Sequence, residues 1–143
     1  MSYTADLLDG LARLLAEHGV ATYRPDGQYA PGDTALTIAT VPPAPDRVIC
    51  LTAYPVQDSP ALTDCTTGVQ VRTRAGADPR EVDALDDAVF DVLHGSGPHT
   101  WGAVRVQLLY RTASAPIGAD DTGRMERSST YYARAHRAAQ HLE

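Results

Sequence analysis

Apolar residues repeat with helical spacing near the start of the chain. The residues of this stripe are Leu7, Leu8, Leu11, Leu14 and Leu15. Their i, i+3, i+4, i+7 order is typical of an amphipathic helix that packs on a core. Thr4 is placed to cap the start of this helix, and Gly19 is placed to end it.

A second helix is predicted from residue 79 to about residue 94. Asp78 is a good N-cap, Pro79 suits the first helical position, and Glu81 completes a capping box. Its apolar stripe consists of Val82, Leu85, Val89, Val92 and Leu93. Gly95 follows directly and is expected to stop the helix.

Six further segments have the composition or the alternation of strands. They are residues 20–24, 36–41, 47–54, 69–74, 104–111 and 125–136. Residues 69–74 alternate strictly between inward and outward positions, as a half-buried strand does. Residues 48–51 are all apolar, which favours a central strand covered on both faces or a strand at a subunit contact.

Two long stretches lack a strand pattern and are predicted as loops, residues 55–68 and residues 112–123. Loops of this length in a compact domain are usually functional or mobile. They contain apolar residues that a purely solvated loop would not need, Val56, Leu62 and Ile117. We therefore expect these three side chains to contact a partner.

The order of elements is helix, strands, helix, strands, and both helices need a sheet face to cover. This order predicts an α+β fold in which a mixed or antiparallel sheet packs against two main helices. A length of 143 residues lies in the ~100–150 range of the commonest domains, so we expect a single domain over residues 1–143.

Charge narrows the classes of partner. The net charge is -6, and a general nucleic-acid binder needs a basic surface instead. Residues 77–95 hold six acids and one arginine, whereas residues 96–143 hold six arginines and four acids. This is either an ordinary mixed surface or a pair of opposite patches that meet between identical subunits.

No apolar run reaches the ~18–20 residues of a membrane span, and the first nine residues do not resemble a secretory signal.

The sequence offers little catalytic chemistry. Cys50 and Cys65 lack zinc-ligand spacing and are expected to be reduced thiols, with Cys50 in the core. None of the common nucleophile, phosphate-loop, dinucleotide or zinc-protease motifs is present. His99 and Trp101 share a glycine-rich segment, which is either a pocket lining or an ordinary loop. We expect no enzyme activity and no cofactor.

An acidic edge runs along the second helix through Asp83, Asp87 and Asp91, at i, i+4 and i+8, and Asp86 adds to Asp83 at i+3. Like charges at this spacing cost ~0.2–0.5 kcal/mol per pair. The three carboxylates span about 10–12 Å at ~1.5 Å rise per residue, too far to close on one metal ion alone. The edge is either a solvated face or a surface for arginines of a neighbouring subunit. Candidate arginines are Arg72, Arg74, Arg124 and Arg127.

Several short motifs occur in an order that resembles a known family. They are residues 7–11 (LLDGL), 22–25 (TYRP), 46–47 with 51–54 (DR, LTxY), 68–74 (GVQVRTR), 78–95, 115–118 (APIG), 123–127 (GRxER) and 131–132 (YY). The chain resembles the bacteriophage tail terminators, also called minor capsid proteins, particularly those from phages of GC-rich actinobacteria. The family has no catalytic motif, so no residue inherits a chemical role.

The resemblance implies a structural virion protein. Terminators form a sixfold ring that caps the polymerised tail tube, stops its growth and offers a surface to the head connector or stopper protein. The expected partners are further copies of the chain, the tail tube protein and the connector, with genomic DNA passing through the ring without sequence-specific binding and no membrane. We expect it at the head–tail joint, after assembly in the host cytoplasm. The alternatives are another head–tail joint protein and a small enzyme or ligand-binding domain.

Overall fold

Seven strands form a mixed sheet in the computed structural model, which describes residues 2–142. The elements are α1 (Tyr3–Glu17), β1 (Thr22–Tyr23), β2 (Thr34–Ile38), β3 (Arg47–Asp58), β4 (Asp64–Arg74), α2 (Pro79–Leu93), β5 (His99–Trp101), β6 (Val104–Ala119) and β7 (Met125–His136). The order across the sheet is β1-β2-β3-β4-β7-β6-β5. β1, β2 and β3 are parallel, and the other pairs are antiparallel. The predicted α+β fold is confirmed.

Both helices pack on the same face of the sheet. Leucines of α1 and the apolar stripe of α2 share one buried cluster with Val69, Val71 and Tyr131 of the sheet. A small second cluster, formed by Ala35, Val48 and Cys50, lies on the opposite face. The apolar run at residues 48–51 is therefore buried on both faces, as predicted for a central strand.

The first helix begins one position before the predicted cap. Ser2, and not Thr4, is the N-cap, because the Ser2 hydroxyl accepts a hydrogen bond from the backbone N–H of Ala5 at 3.1 Å. The predicted end is confirmed: the helix ends at Glu17, and Gly19 has a positive φ of 74°. A left-handed residue just after the last turn is a common helix stop.

The second helix has the predicted bounds but a different box at its start. Asp78 caps it by accepting from the backbone N–H of Arg80 at 3.0 Å. The Glu81 carboxylate accepts from the backbone N–H of Gly76 at 3.0 Å. Glu81 therefore binds the loop before the helix, and not the backbone N–H of the N-cap residue Asp78 as a capping box would require. The helix ends at Leu93, and Gly95 follows with a φ of 77°.

The segment predicted as a loop over residues 55–68 is mostly a β-hairpin, so that prediction is wrong. β3 continues to Asp58, β4 starts at Asp64, and only residues 59–63 connect them. A bulge between Pro55 and Gln57 shifts the register by one residue. The bulge and the exposure of both faces of β3 remove the period-2 pattern, which is why the extension has no signal in the sequence.

The loop prediction for residues 112–123 is also wrong. β6 extends to Ala119 and pairs with β7 along its length, with register shifts between Arg111 and Ala113 and between Pro116 and Gly118. The turn is held by Asp120, whose carboxylate accepts from the backbone N–H of Arg124 at 2.9 Å. Desolvation raises the pKa of Asp120, but the backbone and side-chain donors of the turn outweigh it and lower that pKa to about 2.

Three smaller predictions are settled by the same structure. Residues 99–101 form the short strand β5, where a loop was expected, and Trp101 lines a cavity beside α1, as one of the two interpretations predicted. The His99 ring stacks on Trp101 with centroids 4.7 Å apart, and burial lowers the pKa of His99. Cys50 and Cys65 are free thiols, and Cys50 is buried as predicted.

Candidate interaction surface

The acidic edge of α2 faces outward in the structure. Asp83, Asp87 and Asp91 are all exposed. Asp83 accepts a hydrogen bond from Arg127 Nη1 at 3.3 Å within the same chain. Asp87 and Asp91 form no ion pair within residues 2–142. Arg80, adjacent in sequence, pairs with Asp78 and so does not neutralise the edge.

Asp86 was grouped with the acidic edge by its spacing, and that assignment is wrong because its side chain is buried. It is 2% exposed, and its carboxylate accepts from the Ser129 hydroxyl at 2.6 Å. Arg111 Nη1 lies 3.6 Å and Arg127 Nε lies 3.7 Å from its Oδ2 atom. Asp86 therefore fixes α2 to the hairpin of β6 and β7. A signal existed, because residue 86 falls within the apolar stripe between Leu85 and Val89.

Arg111 reinforces this junction from the other side. Its guanidinium lies over the Phe90 ring, with the central carbon 4.2 Å from the ring centroid. The Phe90 ring also stacks on His94, with centroids 4.4 Å apart. His94 Nδ1 in turn accepts from the backbone N–H of Arg111 at 3.0 Å. These contacts hold the C-terminal turn of α2 against β6.

Arg72 and Arg74 lie on the face of the sheet opposite the helices. Arg72 donates two hydrogen bonds to the buried Glu126 carboxylate, at 2.9 and 3.1 Å. Arg74 is buried and donates to the backbone carbonyls of Pro42, Pro45 and Asp46 at 2.7–2.9 Å. Burial lowers the pKa of Arg74. Arg74 therefore stabilises the loop before β3.

Arg124 also has partners within its own chain. Its Nε donates to Asp120 at 2.8 Å, and its Nη1 donates to the carbonyl of Pro43 at 2.6 Å and to Asp46 at 3.2 Å. The structure thus joins each of the four candidate arginines to groups of the same chain. Their role at a subunit contact stays a prediction, and Arg72, whose side chain is 44% exposed, is the most accessible of them.

The three apolar residues expected to contact partners are all exposed. Val56 sits at the bulge of β3, and Ile117 sits at the register shift of β6 between Pro116 and Gly118. Leu62 lies at the tip of the hairpin between β3 and β4. The structure therefore places them on strands and a short turn, where the sequence predicted long loops, and their partner contacts stay predictions.

A row of tyrosines crosses the face opposite the helices, with Tyr54 exposed and Tyr110 and Tyr132 half-buried, and no local sequence pattern predicts it. Tyr54, Gly68, Tyr132 and Tyr110 pair in register across β3, β4, β7 and β6. The Tyr54 ring covers Gly68 so closely that a Cβ there would lie 2.3 Å from the Tyr54 Cζ atom. Tyr110 and Tyr132 make an edge-to-face contact with centroids 5.9 Å apart. Only pairing across four strands brings these residues together.

Two further properties bear on function. Across residues 2–142 no helix has the length and apolar character needed to cross a membrane. The same residues contain no group of three or more His, Cys, Asp or Glu side chains placed to hold a metal ion.

Comparison with known proteins relates the chain to a protein family and to solved structures. The profile of the bacteriophage tail terminator proteins matches residues 14–137. The fold is similar to that of a chain in the virion of a native gene transfer agent particle, with a TM-score of 0.61 and 17% sequence identity. That similarity covers 94% of this chain and 99% of the other. No curated protein sequence matches the chain. Because the profile spans most of its length, the chain belongs to the bacteriophage tail terminator family.

Proposed function

We propose that this chain closes into a ring of six subunits on the end of the tail tube, stops tube polymerisation and joins the tail to the head connector or stopper protein. Family membership makes it a structural protein of a bacteriophage tail. The observation that carries the proposal is the family match over residues 14–137. The fold similarity to a virion chain agrees with it.

Ring closure explains how such a protein stops growth. A heterologous interface joins two different surfaces of identical subunits, and it leaves no free end in the plane when the rotation closes. Growth of the tube along its axis then depends on the two faces of the ring. One face must match the last ring of tube protein, and the other must not recruit more of it.

The exposed acidic edge is one proposed part of the subunit contact. Asp87 and Asp91 carry charges that have no ion-pair partner within residues 2–142, and a neighbour's arginine would relieve their repulsion. All four candidate arginines already bind groups of their own chain, and Arg72 is the most accessible of them.

Leu62 is the residue that we propose for contact with the tube or the connector. It is 62% exposed at the tip of the hairpin between β3 and β4. Val56 and Ile117 were expected to contact the same partners, but they lie on strand edges, which suit pairing between copies of the chain. The net charge of -6 is consistent with genomic DNA passing through the ring without sequence-specific contacts.

We further propose that the chain acts without catalysis or cofactor, in the virion at the head–tail joint, after assembly in the host cytoplasm. The test is electron microscopy of the purified protein, alone and mixed with assembled tails. A sixfold ring at the tube end supports the proposal. A ring that binds the head side and never the tube would assign another joint function. A monomer under both conditions would refute the ring.

A further inference from the structure

Two stretches of strand, at opposite edges of the sheet, have no neighbouring strand on one side within residues 2–142. β3 pairs with β2 only as far as Leu51, so residues 53–58 have β4 alone as a neighbour. β6 pairs with β5 only at Val104–Val106, and the loop after α2 reaches it no further than Arg111. Residues 112–119 therefore have β7 alone. We call residues 53–58 the β3 edge and residues 112–119 the β6 edge.

Backbone groups on the β3 edge point away from the sheet. The Leu51 carbonyl accepts from the backbone N–H of Ala39 at 2.9 Å, so the polar groups of Leu51 face away from β4. Alternate residues of a strand share this orientation, which turns Ala53 and Pro55 the same way. A proline is tolerated where its missing N–H would have faced outward.

The β6 edge has the same design. The Arg111 N–H points outward, since it donates to His94. Arg111, Ser114 and Pro116 pair with every second residue of β7, so all three share that orientation. Ser114 thus offers an unpaired N–H and carbonyl, and Pro116 offers its carbonyl alone. Each edge therefore keeps outward backbone groups and places its one proline where no hydrogen bond within the sheet is lost.

Each edge has a proline and a register shift, which are two of the devices that soluble proteins use against edge pairing. Neither edge has a row of charged residues or a covering element within residues 2–142. Residues 112–119 read Thr-Ala-Ser-Ala-Pro-Ile-Gly-Ala and contain no charge, and Asp58 is the one charged residue of the β3 edge. Each edge also exposes a large apolar side chain, Ile117 or Val56. Surfaces of this kind are expected to be covered in the working protein.

We propose that the β6 edge of one copy pairs with the β3 edge of the next, so that the sheet continues from subunit to subunit around the ring. This inference rests on the ring proposed above. A second copy is the fitting occupant, because the two edges differ and lie on opposite sides of the sheet, as a heterologous closed interface requires. β3 and β6 run in opposite directions, so neighbours of the same orientation pair antiparallel.

The positions of the edges along their strands agree with closure. Tyr54 and Tyr110 lie in one row across the sheet, and from that row the β3 edge lies toward one end of the strands and the β6 edge toward the other. The two edges are therefore offset along the strand direction by about six residues, or ~20 Å at ~3.3 Å per residue. The four strands of one copy, β3, β4, β7 and β6, span ~19 Å across the sheet at ~4.8 Å each. Neighbours joined at this offset have strands tilted by roughly 45° to the ring axis, close to the ~35–45° of closed sheets.

The pairing removes Val56 and Ile117 from the residues that contact the tube, and it brings them between copies. A chain that carries both Val56→Cys and Ile117→Cys, treated with a short bismaleimide cross-linker, tests this placement. Both positions are exposed, so folding is expected to be intact, and circular dichroism checks it. The unmodified chain controls for Cys50 and Cys65, which are buried and half-buried.

We expect the double variant to give a ladder of cross-linked species ending at the ring, at least fivefold above either single variant. The matched control is Leu108→Cys with Ile117→Cys, because Leu108 is 37% exposed and Val56 is 39% exposed, but Leu108 lies three strands from the β3 edge. The control is expected to cross-link no more than the single variants.

Native mass spectrometry of the same samples separates this inference from the proposed function. A ring with a ladder supports both. A ring whose double variant cross-links no more than the control overturns the edge pairing and leaves the ring. A ladder that never closes at six supports the pairing and refutes the ring. Cross-linked dimers from a single variant would show a twofold contact and overturn the pairing, and a chain with neither ring nor ladder overturns both.

Discussion

Replacing Asp86 with alanine is expected to loosen α2 from the hairpin of β6 and β7. The change removes the acceptor of the Ser129 hydroxyl and the anion that faces Arg111 and Arg127. Ser129 keeps one partner, since its hydroxyl also lies 2.9 Å from the Ser114 hydroxyl. The two guanidinium groups are left without the buried carboxylate.

The magnitude follows from how well the arginines reach water. Removing one partner of a buried ion pair costs ~3–5 kcal/mol when the other stays buried. The side chains of Arg111 and Arg127 are 29% and 22% exposed, so part of their charge can be hydrated in the variant. We expect the free energy of unfolding to fall by about 2–3 kcal/mol, or a melting temperature ~6–9 °C lower for a chain of this size.

The assay is equilibrium urea unfolding at one fixed protein concentration, with Asp87→Ala as the matched control. Asp87 is adjacent on the same helix but exposed and without an ion pair within residues 2–142, so its removal should stay within ~0.5 kcal/mol. Asp86→Asn keeps an acceptor for Ser129 and should fall between the two. Equal losses for Asp86→Ala and Asp87→Ala would refute the reasoning that Asp86 holds this junction.

Three further predictions concern other parts of the chain. Gly10→Ala should lower the free energy of unfolding by about 1–2 kcal/mol, because the new Cβ would lie 2.1 Å from Trp101 Cδ2, although alanine normally favours a helix. The loss should disappear in a Trp101→Ala background, and a gain in stability would contradict the packing of Gly10 on Trp101. Replacing Asp87 and Asp91 with asparagine should weaken ring assembly most at low salt, where charges are least screened, and assembly by light scattering that is unchanged at every salt concentration would leave them as a solvated face. The pKa of Asp120 is lowered to about 2, so its contribution to stability is present above pH ~4 and is lost as pH falls through about 2; the amide resonances of Thr122 and Arg124 should therefore titrate near pH 2, and a midpoint near pH 4 would contradict the turn.

The sequence was sufficient to predict the elements that bury one face. Both helices end where glycine follows, and β7 has its predicted bounds of Met125–His136. The α+β class then follows, because two amphipathic helices need a sheet to cover. Burial periodicity is a local signal, so a single sequence is enough to read it.

The sequence was insufficient where structure depends on distant pairing. The outer halves of β3 and β6 carry bulges and expose both faces, so no alternation marks them as strands. The partners of Arg72 and Arg127 lie 54 and 41–44 positions away along the chain, and only the sheet and the packing of α2 bring them together. The acidic edge was correctly placed on one exposed helix face, but the buried Asp86 was not distinguished from it.

The measurement that tests the account most directly is the growth of tail tubes in the presence of this chain. Purified tube protein is polymerised with and without it, and tube lengths and ends are recorded by electron microscopy. We predict shorter tubes of defined length, each with a sixfold ring of this chain at one end. Tubes of unchanged length with bare ends, formed in the presence of folded protein, would contradict the account.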